Sequence, residues 1–240
     1  MHNYLPGVGR LALLLAPAAL TAALAIEPAL AHGIGGKDAA FVAATKEADI
    51  LPFMYLGAKH MFTGYDHLLF LLGVIFFLYR MRDIAIYVTL FSIGHSITLL
   101  AGVLMEINVS AYLVDAIIGL SVVYKAFDNL NGFKTLFGVQ PNNKIAVGLF
   151  GLIHGFGLAT KLQALNLNEN GLVWNMIGFN IGVELGQIFA LSIILVLMVL
   201  WRKTASFNRL AAATNVLIMI AGFMLMEYQL AGYFLGLPVT

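Results

Sequence analysis

Six long apolar runs constrain this chain more than any other feature. They fall at about residues 61–80, 84–105, 110–127, 145–163, 176–201 and 210–233. Each is close to the roughly 20 residues that a helix needs to cross a bilayer. Because 61% of the 240 residues are hydrophobic and 10% are charged, a soluble domain is excluded. We predict an all-α integral membrane protein whose residues 51–240 form a six-transmembrane helix bundle, with residues 51–59 as a short interfacial or re-entrant lead-in.

The first 31 residues have the pattern of a cleavable signal peptide. Arg10 precedes an apolar stretch over residues 11–26, and Ala29-Leu30-Ala31 forms an A-x-A cleavage site. Cleavage would make His32 the mature N-terminus, whose α-amine and imidazole could together chelate a divalent ion. A retained leader would instead add a seventh span. Residues 32–50 are mixed and polar, and we predict an extracytoplasmic segment there.

Charged residues in the loops predict the orientation. Loops one, three and five contain the basic residues Arg80, Arg82, Lys125, Lys134, Lys144, Arg202, Lys203 and Arg209, whereas loops two and four contain only Lys161. By the positive-inside rule we predict a multi-pass protein of the bacterial inner membrane with both mature termini periplasmic. The net charge of +1, with no basic stripe, argues against nucleic acid and leaves membrane lipid as the surrounding partner.

Ionisable side chains lie inside the apolar runs, where they are costly unless they pair, bind an ion or line a water-filled path. His60 and His67 are seven residues apart with Gly64 between them, a spacing that places all three on one helical face. With no cysteine in the chain, a metal would be held by imidazole or carboxylate groups. The predicted metal ligands are His60, Asp66, His67, His95, His154 and Glu184.

Simpler interpretations exist for several of these residues. His60 could be an interfacial side chain, His95 a hydrogen-bonding group between helices, and Glu184 a protonated bridge between two helices.

Several polar residues accompany the predicted ligands. Ser92 and Ser96 share a helical face with His95 and could hydrogen-bond its ring. Asn180 and Gln187 share a face with Glu184, while Asp115 and Glu227 lie near the outer surface and could belong to the site or simply reach the headgroups. Two glycines, Gly151 and Gly155, form a small-xxx-small pair that predicts a close helix contact beside His154.

Three motifs occur in order: His60 to Asp66-His67 in the form H-x5-D-H, Gly94-His95-Ser96, and Ile153-His154-Gly155-Phe156-Gly157. With them, residues 50–235 resemble the HupE/UreJ family of bacterial membrane proteins, and residues 180–187 are similar to its more divergent branch. Members are associated with hydrogenase and urease gene clusters and are regarded as nickel, sometimes cobalt, permeases. The resemblance implies that His60, Asp66 and His67 handle metal, with nickel as the favoured ion and metalloenzyme maturation proteins as possible partners.

We therefore expect a divalent transition-metal permease whose His/Asp/Glu site opens to the periplasmic side. Imidazole and carboxylate ligands also suit cobalt, copper, zinc or iron. The residues alone are equally compatible with an intramembrane metal-dependent hydrolase. In that enzyme the midplane histidines, Asp66 and Ser92 or Ser96 supply ligands, and Glu184 is the general base for a metal-activated water. A third interpretation is a metal-delivery or assembly subunit for a metalloenzyme.

Two observations bear on transport. The inner halves of the spans contain few polar residues beyond Tyr124, Asp128 and Asn129, so no continuous polar path is visible. His67 and His95 are spaced much like His154 and Glu184, a loose parallel between two halves of inverted topology. These few residues do not establish a repeat.

Overall fold

A computed structural model describes residues 36–164 and 169–236. The predicted signal peptide and His32 lie outside the described residues. Within these ranges the chain forms nine helices and no strand: α1 Gly36–Ala44, α2 Ile50–Thr63, α3 Tyr65–Ile75, α4 Met81–Leu104, α5 Ala111–Asn129, α6 Gly132–Phe137, α7 Asn143–Gln163, α8 Leu172–Arg202 and α9 Ala205–Leu235.

Four of the described helices, α4, α7, α8 and α9, are long and apolar enough to cross a membrane, as expected for a multi-pass membrane protein. They match four of the six predicted spans. Another predicted span, 110–127, corresponds to α5. This helix has 19 residues but contains Asp115, Lys125 and Asp128, and it is not one of the four. The predicted first span over 61–80 is wrong as a continuous helix, because Gly64 interrupts it with an extended backbone (φ −72°, ψ 93°). Two helices result, and the predicted lead-in is part of α2.

Six helices associate as three close pairs: α2 with α8, α4 with α7, and α5 with α9. Glycines lie at each contact. A Cβ atom on Gly151 would collide with the backbone of Phe91, and one on Gly155 with the backbone of His95. The close contact predicted from these two glycines is confirmed. Small residues give this kind of backbone approach between membrane helices.

The same contact occurs a second time in the other half of the chain. Gly57 on α2 packs against the backbone of Phe179 on α8, just as Gly151 on α7 packs against Phe91 on α4. The local sequences agree as well, since residues 57–62 and 151–156 both read G-x-x-H-x-F and residues 91–94 and 179–182 both read F-x-I-G. The pair α2 and α8 is therefore equivalent to the pair α7 and α4.

The third pair completes this repeat. A Cβ on Gly119 of α5 would meet the backbone of Gly222 and Met226 on α9, and one on Gly222 would meet Gly119 and Val123. The contact is reciprocal and residue numbers run in opposite directions, so α5 and α9 are equivalent and antiparallel. The two halves are thus an inverted repeat. Its register pairs His60 with His154, which corrects the looser alignment of His67 with His154.

The short helix α3 lies at the centre and contacts α2, α4, α5, α8 and α9. Its last carbonyl groups would be unsatisfied inside an apolar bundle. Arg202 at the end of α8 donates to the carbonyl oxygens of Leu78 (2.9 Å), Phe76 (2.8 Å) and Ile75. This guanidinium cap allows α3 to end within the protein.

Candidate metal site

Four buried imidazoles converge where α2, α3, α4 and α7 meet, and His67 is the central one. Its ring centroid lies 5.3 Å from that of His60, 5.9 Å from that of His95 and 5.0 Å from that of His154. None of the four is more than 8% exposed. We call these residues the histidine cluster. Four helices and the break between α2 and α3 are needed to bring them together.

The helix break changes how two of these residues meet. The predicted single helical face through His60, Gly64 and His67 is wrong, because α2 ends at Thr63 and α3 starts at Tyr65. A Cβ on Gly64 would lie 2.9 Å from Nδ1 of His67 and 3.2 Å from Oδ1 of Asp66. The glycine therefore leaves the space that the His67 ring and the Asp66 carboxylate occupy.

Hydrogen bonds determine which ring nitrogen carries the proton. Oδ1 of Asp66 accepts from the backbone N–H of His67 (2.8 Å) and lies 2.9 Å from its Nδ1. Nδ1 of His154 lies 2.7 Å from the carbonyl oxygen of Phe150. In both rings Nδ1 is thus the donor, and Nε2 keeps its lone pair. A carboxylate or carbonyl behind a histidine orients the ring of a metal ligand in this way.

The ring nitrogens inside the cluster are chemically suited to bind a transition metal. Within the described ranges, Nε2 of His67, Nε2 of His154 and both ring nitrogens of His95 are buried without a hydrogen-bond partner. Such atoms are costly when left unsatisfied, and neutral imidazole suits nickel, cobalt, copper or zinc. In this conformation the rings meet edge to face, and residues 36–164 and 169–236 contain no group of three or more His, Asp or Glu side chains arranged to hold a metal ion. Coordination would require ring rotation.

An ion pair closes one end of the cluster. Nζ of Lys161 on α7 lies 2.8 Å from Oδ2 of Asp115 on α5, and each side chain is 11% exposed. Both residues line a gap of about 10 Å³ beside His60, Asp66, His67 and His154. That volume is close to the minimum for one water molecule. Asp115, a predicted accessory residue, is thus beside the cluster, while its pairing with Lys161 is not evident in the sequence.

A layer of phenylalanines closes the other end. Phe70, Phe91 and Phe150 each lie one helical turn from a histidine of the cluster on the same helix. The ring centroids of Phe70 and Phe91 are 5.2 Å apart, those of Phe70 and Phe150 are 5.9 Å apart, and Phe91 lies 4.9 Å from His154. We call these three residues the aromatic layer. It separates the histidine cluster from the opposite end of the bundle.

The predicted polar face on α8 is wrong in one position. Asn180 and Gln187 are buried, whereas Glu184 is exposed. Oε1 of Gln187 accepts a hydrogen bond from Oγ of Ser92 (2.8 Å), so Ser92 is directed toward α8 rather than toward the ring of His95. Lipid and the protein interior are both apolar. The sequence of α8 therefore does not show which residues of this face are covered by neighbouring helices.

The remaining predicted residues are peripheral. Ser96 is half-buried on α4, and Glu227 is half-buried on α9, outside the lining of the gap beside the cluster. Asn180 donates to the carbonyl oxygen of Met176 within its own helix. His32 lies outside the described residues.

A second polar group lies beyond the aromatic layer. Nζ of Lys125 is 2.6 Å from Oδ2 of Asp128, and both residues are buried in α5. Asn129 donates to the carbonyl oxygen of Gly73 (2.8 Å) and to Oδ1 of Asn215 (2.9 Å). Lys125 is therefore not the loop residue that we predicted. A Lys and an Asp three residues apart at the end of an apolar run are the one sequence signal for this group.

A sequence model of the family described as "HupE / UreJ protein" matches residues 36–236, a range that includes all nine described helices. No curated protein matches the chain. No solved structure matches it either.

Proposed function

The chain belongs to the HupE/UreJ family, and we propose that it is a permease for a divalent transition-metal ion, with nickel as the favoured substrate. The family suggests a role related to nickel or cobalt transport. One observation carries the proposal: the four buried histidines converge at the interface between the two halves of an inverted repeat.

That location supports transport. In carriers built from inverted repeats, the substrate binds near the middle of the membrane where the repeats meet, and relative motion of the repeats exposes the site to one side and then the other. His60 and His154 are equivalent residues of the two halves, and both adjoin His67. A site shared by the two halves changes shape whenever one half moves against the other.

In the proposed site the histidines bind the ion and Asp66 orients His67. The free Nε2 atoms of His67 and His154 and the ring of His95 are the proposed ligands, and they replace waters that the ion sheds on entry. Asp66 keeps His67 in the tautomer that presents Nε2. Its carboxylate also offsets part of the charge of a dication in a medium where unpaired charge is costly.

We propose that the end closed by Asp115 and Lys161 faces the periplasm and that the protein resides in the bacterial inner membrane. The basic residues at the opposite end, among them Arg80, Arg82 and Lys144, support this orientation through the positive-inside rule. A cleaved signal peptide with periplasmic mature termini agrees with it.

The hydrolase interpretation receives no comparable support. Ser92 donates its hydrogen bond to Gln187, and Glu184, the predicted general base, is exposed on α8. Neither group is assembled around the histidines. A metal-delivery subunit would use the same cluster without moving the ion across the membrane. An uptake assay distinguishes such a subunit from a permease.

The test is nickel uptake into proteoliposomes, combined with metal retention measured by mass spectrometry. We expect His67→Ala to lower both by at least about tenfold. The matched control is Ser192→Ala, because Ser192 is exposed on α8 and its hydroxyl donates to the carbonyl oxygen of Ile188 in the same helix. Uptake by His67→Ala equal to that of the control would overturn the proposal. Retention without uptake in the unmodified protein would replace the permease with a metal-delivery subunit.

A further inference from the structure

We propose that the cavity beside Asp128 is a second divalent-cation site, built from oxygen ligands and regulated by Lys125. Its position on a transport path depends on the proposed function. Its binding chemistry does not, because it uses none of the histidines.

The cavity is large and opens at the end of the bundle opposite the histidine cluster. Its volume is about 460 Å³, and its polar lining includes Lys125, Asp128, Asn129, Gln140 and Asn143. Six waters around an ion need about 180 Å³ at roughly 30 Å³ each. The cavity therefore has room for a hydrated dication, whereas the gap beside the histidines has room for about one water.

Asp128 is a buried carboxylate with a second buried oxygen beside it. Its oxygens accept hydrogen bonds from Lys125, Gln140 and Asn143. The amide oxygen Oδ1 of Asn143 is itself buried with no hydrogen-bond partner in the described part of the chain. An unsatisfied acceptor beside a carboxylate favours an electropositive ligand over an anion. Carboxylate and amide oxygens are the ligands that divalent cations such as Mg²⁺ and Mn²⁺ prefer.

Lys125 occupies the cation position on that carboxylate. Its ammonium group lies 2.6 Å from Oδ2 of Asp128 on a flexible four-carbon stem. An arriving dication would displace it, so the lysine acts as a tethered competitor that keeps the affinity low. Low affinity is what release requires. The ion pair between Lys161 and Asp115 places a comparable lysine and aspartate at the other end of the bundle.

The two sites are neighbours along α3. Gly73, whose carbonyl oxygen accepts from Asn129, is six positions after His67, and at 1.5 Å per residue this is about 9 Å. Phe70 of the aromatic layer lies between them on this helix, one turn from each. An ion that passes this layer from the histidine cluster would arrive beside Asp128.

The native tryptophans supply a reporter for binding. Trp201 packs against Phe207, with centroids 5.0 Å apart, and Phe207 lines the cavity. Trp174 is the only other tryptophan, so Trp174→Phe leaves Trp201 as the single indole. The probe is Co²⁺, which quenches nearby indole fluorescence. The full-length protein is titrated in detergent, and bound cobalt is counted by equilibrium dialysis.

Three proteins in this background test the proposal. Lys125→Met removes the competitor, and we expect it to bind Co²⁺ at least about tenfold more tightly than the parent because a buried carboxylate loses its counter-charge. The double variant Lys125→Met/Asp128→Asn has a cavity of the same shape without either charge, and we expect it to lose the site. Thermal unfolding of each variant checks that it is folded.

A purely structural ion pair gives a different result. Lys125→Met would then be less stable than the parent and would bind Co²⁺ no more tightly than the double variant, which would overturn the proposal. Adding His67→Ala to the Lys125→Met protein and repeating the titration separates the two sites. Tight binding by Lys125→Met that survives His67→Ala supports the second site even if the permease proposal fails, whereas its loss assigns the binding to the histidines.

Discussion

His60 and His154 occupy equivalent positions in the two halves of an inverted repeat, and their rings lie 5.3 Å and 5.0 Å from the same His67. The two halves differ seven residues further along the chain. The register that aligns His60 with His154 aligns His67 with Lys161, which pairs with Asp115 instead of joining the histidines. One half thus contributes the central imidazole of His67. The other half contributes the ammonium group of Lys161, which lines the gap beside that imidazole.

The link between Asp66 and His67 is expected to control metal affinity. Asp66→Leu removes the acceptor for Nδ1 of His67, and we expect nickel affinity to fall by about 10–100-fold. Asp66→Asn keeps an oxygen acceptor and should lose less. Competition against a chromogenic chelator measures both. Asp38→Asn is the matched control, since Asp38 pairs with Lys59 at the surface. Affinity unchanged in Asp66→Leu would contradict the orienting role.

The contact between α4 and α7 predicts opposite effects for two glycines in one helix. Gly151→Ala would place a methyl group against the backbone of Phe91, and we expect a loss of about 1–3 kcal/mol in the free energy of unfolding. Gly148→Ala meets no atom of the described residues within 4 Å, and we expect it to be neutral or to gain up to about 1 kcal/mol through helix propensity. Thermal unfolding in detergent compares the two variants. Equal changes in the free energy of unfolding would refute the contact between Gly151 and Phe91.

The inverted repeat makes a linked prediction. Gly57 occupies the position of Gly151 in the other half and packs on Phe179 as Gly151 packs on Phe91. We expect Gly57→Ala to destabilise the protein by a similar amount, about 1–3 kcal/mol, in the same unfolding assay. A Gly57→Ala protein as stable as Gly148→Ala would mean that the two contacts are not equivalent.

The ion pair between Lys161 and Asp115 should be strongly coupled, because each side chain is only 11% exposed. Lys161→Met or Asp115→Asn alone leaves one charge buried, and we expect each to cost about 3 kcal/mol or more. The double variant should recover much of this loss. A double-mutant cycle on unfolding free energies gives the coupling. The more exposed pair of Lys59 and Asp38 is the control, and we expect a much weaker coupling there because solvent screens both charges.

The proposed orientation can be tested because the chain has no native cysteine. Asn208 is exposed at the end that carries the cavity, and Glu106 is exposed in the turn between α4 and α5 at the opposite end. We expect an impermeant maleimide to label Glu106→Cys in intact cells and Asn208→Cys only in inverted vesicles. The reverse pattern would invert the proposed topology and the direction assigned to both sites.

The members of the histidine cluster could be selected from the sequence because ionisable side chains are conspicuous in apolar runs. Glu184 met the same criterion and is exposed. The difference is physical: in a soluble helix the apolar face marks the core, whereas in a membrane helix lipid-facing and protein-facing residues are both apolar. The position of a polar residue around the helix axis therefore depends on its neighbours, which the local sequence does not specify.

The sequence by itself determined the class of protein, the four long apolar helices, the glycines of the α4 and α7 contact and the candidate histidines. Each of these follows from composition or from residues within one helical stretch. Tertiary structure decided the break at Gly64, the partner of Ser92, the ion pair of Lys161 with Asp115 and the burial of Lys125 beside Asp128. These depend on contacts between helices, and the repeat register appears only when Gly57 and Gly151 are seen against the backbones they touch.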